Sequence, residues 1–173
     1  MFFKKKKSAE VVIKNELNNE HKLKPVEEVI GEKELLYKEN IKINCKSDTQ
    51  ENVIRAIGQM LVDTGYVETP YIEAMIEREK SFSTYMGSDL ALPHGVEAAK
   101  KEVIASGIAI MVFPEGVEWG DATAKIVIGI AGVGEEHLTI LGIIAEKMMD
   151  EDAAEKLVQG DVDTIYNILT GKE

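Results

Sequence analysis

Apolar residues are spread unevenly along the chain, and their spacing divides it into two parts. Over residues 1–34 they come in short groups, of which Val11-Val12-Ile13 is the longest after the first three residues, and Pro25 interrupts any helical pattern. From Leu35 onward, apolar residues recur with the spacing of helices or strands. We therefore predict a flexible leader or linker over residues 1–34 and one folded domain over residues 35–173.

The first part of the domain is predicted to contain one strand and two helices. The strand lies around Ile41 to Ile43, whose apolar residues alternate. Asp48 or Thr49 offers an N-cap for the first helix, and Gly65 closes it. The second helix begins at Thr69-Pro70, with proline at the first helical position. The apolar faces of the two helices consist of Val53, Ile54, Ile57, Met60 and Leu61 in the first and of Ile72, Met75 and Ile76 in the second.

Two longer apolar runs in the middle of the chain predict inner strands of a sheet. The runs Gly107–Phe113 and Ala124–Ile130 contain almost no polar residues, which is typical of strands buried on both faces. Pro114-Glu115-Gly116 is predicted to turn the chain between them. Two shorter extended segments flank a turn at Gly87-Ser88-Asp89. These short connections indicate some antiparallel pairs, so we expect a mixed sheet.

Helices are predicted on either side of these strands. A short one covers Val96–Val103, and a long one begins at Glu135-Glu136-His137. Two more end at Gly160 and Gly171. The long helix has an apolar side made of Leu138, Leu141, Ile144 and Met148. Strands interleaved with helices predict an α/β fold in which helices sandwich a mixed β-sheet.

Composition and charge narrow the range of partners and cofactors. The net charge of −11 argues against nucleic acid, whose phosphates are bound by basic surfaces. No apolar run reaches the roughly 18 residues of a membrane span, so we expect no membrane insertion. The single cysteine, Cys45, fits a reducing cytoplasm. We expect no metal site and no cofactor, since there is no HExxH or paired-cysteine spacing and Gly129–Gly134 does not fit a dinucleotide fingerprint.

The segment Leu90-Ala91-Leu92-Pro93-His94-Gly95 is the strongest candidate for chemistry. Proline biases the residue before it towards an extended conformation, and glycine permits a sharp turn. The imidazole of His94 is therefore predicted to sit at a corner between a strand and a helix, where it presents one ring nitrogen to a partner. Taken alone, a Pro-His-Gly sequence favours an ordinary histidine in a tight turn.

The surroundings of His94 change that interpretation. Phe82-Ser83-Thr84-Tyr85-Met86-Gly87 followed by Leu92-Pro93-His94-Gly95 resembles the phosphorylation-site region of the enzyme IIA proteins of the bacterial sugar phosphotransferase system. Two later segments, Val112-Phe113-Pro114-Glu115-Gly116-Val117 and Gly134-Glu135-Glu136-His137-Leu138, follow in the family's order. The resemblance extends from about Leu35 to the C-terminus and is strongest to the mannitol branch of the mannitol–fructose class. It implies a single IIA domain.

The resemblance also implies three site residues. His94 corresponds to the histidine that is phosphorylated, through Nε2. Arg78 is one of only two arginines in the chain and corresponds to the family's active-site arginine, which would contact the phosphoryl oxygens. His137 corresponds to the second active-site histidine, which would bind or orient the phosphoryl group. The less favoured alternatives are that Arg78 is a helix-end cation and that His137 is an ordinary histidine of a first helical turn.

The implied function is that of a cytoplasmic phosphoryl carrier. It would accept a phosphoryl group from the histidine-containing phosphocarrier protein HPr and pass it to the IIB domain of a mannitol permease, with which it would associate transiently at the membrane. The alternative is a regulatory protein of the nitrogen-related IIA branch, whose phosphorylation state signals to partners. The sequence around His94, the segment Pro114-Glu115-Gly116-Val117 and His137 favour the transport branch.

Overall fold

The computed structural model describes residues 33–172 of the chain. Most of the predicted leader lies outside these described residues, but its last two residues contact the domain. The Tyr66 hydroxyl donates a hydrogen bond to the Glu34 carbonyl oxygen at 2.5 Å. Lys33 donates to the Thr64 carbonyl, and its ammonium lies 4.3 Å from the centre of the Tyr66 ring.

Two helices follow the predictions closely. Helix α1 covers Gln50–Asp63, and the Thr49 side chain caps it by accepting a hydrogen bond from the Asn52 N–H at 3.2 Å. Helix α2 covers Pro70–Ser81 with proline at its start, as predicted. Thr69, however, has helical dihedral angles, and its side chain makes no capping bond. The proline thus marks the start of α2 through its fixed φ and the missing N–H.

Five strands form one mixed sheet. They are β1 (Ile41–Lys42), β2 (Tyr85–Gly87), β3 (Leu90–Ala91), β4 (Gly107–Trp119) and β5 (Ala122–Ala131), arranged in the order β1-β4-β5-β3-β2. Strand β1 is parallel to β4 and β3 is parallel to β5, whereas the pairs β4/β5 and β2/β3 are antiparallel. The prediction of a mixed sheet is confirmed. Strand β3 is parallel to β5, with Ala91 beside Val127, and the chain after β3 continues along β5 until His94 pairs with Ile130 near the end of that strand.

The predicted turn at Pro114–Gly116 is wrong. Strand β4 continues through these residues to Trp119, and its pairing with β5 shifts in register between Val112 and Val117. Gly116 has a φ of +80° inside this irregular segment, and the actual turn follows at Gly120, with a φ of +63°. A bulge accommodates both a proline without an N–H and a glycine with positive φ, so the same residues serve either structure.

The second half of the domain is helical, with two departures from the predictions. The short helix is a 3₁₀ helix, Glu97–Glu102. Helices α3 (Glu136–Lys147), α4 (Ala153–Gln159) and α5 (Val162–Thr170) follow the sheet. In α3 the buried side chains are Ile140 and Ile144, whereas Leu138 is 55% exposed. Of the predicted face, Ile144 is buried and Leu141 and Met148 pack against the core, whereas Leu138 was wrongly included and Ile140 was missed.

Helices cover both faces of the sheet and complete the sandwich that the sequence predicts. On one face α1 and α2 pack with residues such as Ile57 and Met75. On the other face α3, α4 and α5 contribute residues such as Ile144, Leu157 and Ile165. Within residues 33–172, no helix is both long and apolar enough to cross a membrane.

Candidate active site

The corner that carries His94 is attached to the end of β5. The Ile130 N–H donates to the Pro93 carbonyl at 3.0 Å, and His94 pairs with Ile130 as an isolated parallel bridge. The buried Tyr71 hydroxyl, from α2, donates to the Ile130 carbonyl at 2.7 Å and accepts a hydrogen bond from the Gly95 N–H at 2.8 Å. These contacts fix the backbone on both sides of the imidazole.

Gly95 is required by a close contact more than by the turn itself. A Cβ atom built at this position would lie 2.4 Å from Cε2 of Tyr71. Real Cβ atoms do not approach other heavy atoms so closely, and the Tyr71 ring is held by its two hydrogen bonds. The glycine of the Pro-His-Gly sequence therefore allows Tyr71 to pack directly against the backbone beside His94.

Hydrogen bonding determines which nitrogen of His94 can react. Its Nδ1 lies 2.8 Å from the Leu92 carbonyl oxygen. A carbonyl can only accept, so Nδ1 carries the proton and the neutral ring keeps its lone pair on Nε2. Partial burial lowers the pKa of His94, the Leu92 carbonyl opposes that effect, and the charges of Arg78 and His137 lower the pKa further. Near pH 7 the ring is thus neutral and nucleophilic at Nε2.

His137 lines the same open cleft as His94. It belongs to the first turn of α3, and its Nδ1 is 3.2 Å from the Gly134 carbonyl oxygen. Gly132 allows the chain to pack closely against this turn, because a Cβ there would lie 2.3 Å from the backbone nitrogen of His137. The structure therefore brings together the two histidines that the resemblance singled out.

Arg78 is not among the residues that line the cleft in the described part of the chain, but its positive charge lowers the pKa of His94. It occupies the last turn of α2, is partly exposed, and donates from Nη1 to the Phe82 carbonyl at 2.9 Å. A guanidinium carries five N–H donors in a planar fork, so this bond engages only part of its capacity. Its effect on the pKa of His94 shows that the two side chains are electrostatically coupled.

Sequence reasoning missed two residues of the cleft. In the sequence, Tyr71 looks like one more apolar residue of a helix. No nearby residue indicates that its hydroxyl hydrogen-bonds to Gly95. Lys100, from the 3₁₀ helix, also lines the cleft. Its ammonium lies 2.8 Å from a Glu97 carboxylate oxygen and 3.7 Å from one of Glu135, so it links the 3₁₀ helix to the start of α3. No group of three or more His, Cys, Asp or Glu residues within positions 33–172 is arranged to hold a metal ion.

Comparison with known proteins identifies the family to which this chain is similar. The sequence model of the family described as "Phosphoenolpyruvate-dependent sugar phosphotransferase system, EIIA 2" matches residues 34–172. The mannitol-specific phosphotransferase enzyme IIA component of Bacillus subtilis (strain 168) is 48% identical over 139 residues, which are 78% of this chain and 97% of that protein. The homologue from Staphylococcus aureus (strain Mu50 / ATCC 700699) is 43% identical over 126 residues, covering 73% of this chain and 88% of that protein.

A solved structure shows the same fold. The chain is similar to the complex of enzyme IIAMTL and phosphorylated enzyme IIBMTL from Escherichia coli, with a TM-score of 0.75 and 38% identity over 79% of this chain and 97% of that chain. The expected resemblance and the expected fold are both confirmed. The chain therefore belongs to the EIIA 2 family of the phosphoenolpyruvate-dependent sugar phosphotransferase system and is an enzyme IIA phosphotransferase component.

Proposed function

We propose that His94 is the phosphoryl-accepting residue and that the reaction takes place at Nε2. The observation that carries this proposal is the 2.8 Å hydrogen bond from Nδ1 to the Leu92 carbonyl, which leaves the Nε2 lone pair as the nucleophile. The lowered pKa of His94 keeps that lone pair available near neutral pH. The position of the ring in an open cleft gives a partner protein access to it.

The phosphoryl donor is the histidine-containing phosphocarrier protein HPr. In the first step the N–P bond on HPr breaks as the bond from His94 Nε2 to phosphorus forms. In the second step that bond breaks in turn, as a cysteine thiolate on the IIB domain of a mannitol permease attacks the phosphorus. The existence of a complex between E. coli enzyme IIAMTL and phosphorylated enzyme IIBMTL supports IIB as the acceptor. The mannitol-specific relatives support mannitol as the transported sugar.

Arg78 and His137 assist both transfers. The transferred group carries its charge on three equatorial oxygens, and catalysis of such a transfer consists mainly of positioning and electrostatic stabilisation. Arg78 supplies a permanent positive charge and a planar set of N–H donors. His137 lies in the same cleft as the accepting ring. His137 donates from Nδ1 to Gly134, so it can donate from Nε2 to a phosphoryl oxygen only as the imidazolium.

The same proposal assigns the protein to the cytoplasm, with transient association with its membrane permease. The alternative function, a nitrogen-type regulatory IIA protein, has weaker support because the relatives at 43–48% identity are mannitol-specific transport components. His94 chemistry would be the same in both functions. The two differ in whether the phosphoryl group reaches a sugar.

Reconstituted phosphoryl transfer tests the proposal. The protein is incubated with phosphoenolpyruvate, enzyme I and HPr, and we expect a mass increase of one phosphoryl group that is labile in acid and stable in base. The His94→Gln variant, which retains an amide for hydrogen bonding, should fold and gain no mass. Full phosphorylation of that variant would refute His94 as the acceptor. Adding membrane vesicles with the mannitol permease should then yield phosphorylated mannitol, and its absence would favour the regulatory alternative.

A further inference from the structure

The carboxylate of Glu79, the residue after Arg78, is enclosed by hydrogen-bond donors from three other parts of the fold. Its Oε1 accepts from the Trp119 indole N–H at 2.8 Å, from the Thr84 backbone N–H at 2.9 Å and from the Gln50 amide at 3.2 Å. Its Oε2 accepts from the Thr84 hydroxyl at 2.5 Å. Trp119 is 1% exposed and Thr84 is 4% exposed, so this group lies at the edge of the core.

Two residues, Thr84 and Leu92, connect this carboxylate to the reacting ring, each through hydrogen bonds on either side. Thr84 donates twice to Glu79, and its carbonyl oxygen accepts the Leu92 N–H at 3.0 Å. The Leu92 carbonyl oxygen in turn accepts the Nδ1–H of His94 at 2.8 Å. The N–H and the carbonyl of each of these residues belong to different peptide groups, so the contacts act by fixing the positions of Thr84 and Leu92 between Glu79 and the imidazole.

We propose that Glu79 is a positioning residue for phosphoryl transfer, acting through Thr84 and Leu92 to hold His94 in the tautomer that reacts at Nε2. The proposal rests on the proposed role of His94 as the phosphoryl acceptor. Glu79 does not touch the reacting atoms. It fixes the strand segment whose carbonyl oxygen orients the imidazole, as the third member of a catalytic series commonly does.

The surroundings of Glu79 favour a carboxylate over a simple packing residue. Three donors converge on one oxygen atom, which a neutral acceptor satisfies less well than an anion. The negative charge of Glu79 also acts on His94 directly, since it raises the pKa of that ring against the effects of burial and of Arg78. The end of α2 thus supplies two adjacent residues with different tasks, a cation for the phosphoryl oxygens and an anchor for the nucleophile.

Glu79→Gln removes the negative charge of this side chain and changes its shape little. The amide oxygen can take the place of Oε1 and keep its three donors. The amide nitrogen then faces the Thr84 hydroxyl, which can rotate from donor to acceptor. We therefore expect the variant to fold, with weaker bonds to Thr84 and without the negative charge that acts on His94. Glu77→Gln is the matched control, because it removes the same charge from an exposed position on the same helix.

The measurements are the ring ¹⁵N spectrum of His94, the rate of phosphorylation by phosphorylated HPr, and the melting temperature. For Glu79→Gln we expect a smaller Nδ1–H population, a lower pKa of His94 and a phosphorylation rate reduced on the order of tenfold, since small misplacements of a nucleophile are costly. Glu77→Gln should match the wild type in all three. If Glu79→Gln changes only the melting temperature, Glu79 is structural and the proposal is wrong.

Two features keep this test decisive. If Glu79→Gln does not fold, Thr84→Val takes its place, because it removes only the hydroxyl bond to Oε2. This variant should shift the tautomer population and the phosphorylation rate in the same direction to a smaller extent. Thr84→Ser should restore both. An unchanged tautomer population in Thr84→Val would then overturn the proposal. The tautomer is read in the unphosphorylated protein, so the result stands apart from the proposed function. Wild-type protein that takes up no phosphoryl group would instead refute that function.

Discussion

The Tyr71 hydroxyl accepts a hydrogen bond from the Gly95 N–H at 2.8 Å, and this bond ties α2 to the residue that follows His94. The same hydroxyl donates to the Ile130 carbonyl at 2.7 Å. Burial raises the pKa of Tyr71 to about 12, so the hydroxyl remains protonated and keeps both bonds throughout the neutral pH range. One side chain therefore closes the corner between the end of β5 and the nucleophile.

Replacing Tyr71 with phenylalanine should destabilise the domain and slow phosphorylation. The change leaves a buried carbonyl and an adjacent N–H without their partner, which costs about 1–3 kcal/mol for such a group. Urea denaturation measures the loss in the free energy of unfolding, and the HPr assay measures the rate. Tyr37→Phe is the control, because the Tyr37 hydroxyl accepts only a long bond of 3.4 Å from the Glu34 N–H. Equal losses in the two variants would contradict the role given to Tyr71.

The signals that the sequence carries locally were sufficient for most of the fold. Thr49 caps α1, Pro70 starts α2, and Gly171 ends α5 with a φ of +70°, all within one segment of chain. Whether Pro114–Gly116 forms a turn or a bulge depends instead on the register between β4 and β5. That register is a property of two strands together, and one segment does not contain it.

The site shows the same division between local and distant information. The tight corner at His94 could be anticipated from its proline and glycine, whereas the roles of Arg78 and His137 came from the resemblance to a family. The hydrogen bonds to Glu79 could not be anticipated, because its partner Trp119 lies forty positions further along the chain. A glutamate in the last turn of a helix is ordinarily solvated, and only the assembled fold makes this one an anchor.

Substitutions of Arg78 should separate charge from geometry. Arg78→Gln removes a positive charge that lowers the pKa of His94, so that pKa should rise, whereas Arg78→Lys should leave it nearly unchanged. Both variants lose the planar fork, and we expect phosphoryl transfer to slow by about tenfold to a hundredfold, since bonds to charged groups contribute about 1.5–3 kcal/mol. NMR titration gives the pKa and rapid-quench kinetics the rate.

The pH dependence of the reaction follows from the same coupling. Protonated imidazole has no lone pair on Nε2, so phosphorylation should slow as the pH falls through the pKa of His94. That pKa is lowered, so the decline should begin below the ordinary histidine value of about 6.5. In Arg78→Gln the decline should move to higher pH. Arg55→Gln serves as the control, because Arg55 pairs with Glu51 and Glu73. A rate profile that does not move in Arg78→Gln would contradict the coupling.

His137 should take up a proton when His94 is phosphorylated. Its Nδ1–H donates to the Gly134 carbonyl at 3.2 Å, so contact between Nε2 and a phosphoryl oxygen requires the imidazolium. A phosphoryl group brings between one and two negative charges into the cleft near pH 7 and favours that form. Ring ¹⁵N shifts of His137, recorded before and after phosphorylation, should show two protonated nitrogens once the phosphoryl group is present.

The variant His137→Ala tests what that proton contributes. His94 should remain modifiable, because its nucleophilic nitrogen is set by the Leu92 carbonyl, independently of His137. Forward transfer to IIB should be the slower step in this variant. A ring that stays neutral after phosphorylation, together with wild-type transfer in His137→Ala, would show that His137 is an ordinary residue of the first turn of α3.

The start of the domain can be located by comparing two truncations with the full chain. A chain that begins at Lys33 keeps the contact of Lys33 with Thr64 and the bond from the Tyr66 hydroxyl to the Glu34 carbonyl. A chain that begins at Leu35 loses both. The buried core residues that the structure describes all lie at or after Leu35, so both chains retain the same apolar burial among the described residues.

We expect the chain from Lys33 to accept phosphoryl groups at the wild-type rate and to unfold at nearly the same temperature. The chain from Leu35 leaves the Tyr66 hydroxyl without its acceptor, which should cost about 1–3 kcal/mol, or several degrees in melting temperature for a domain of this size. Calorimetry and the HPr assay measure the two effects. If the chain from Lys33 is insoluble or melts far below the full chain, residues 1–32 contribute to the stability of the domain. The boundary placed at Leu35 would then be wrong, because the folded unit would begin within the segment assigned to the leader.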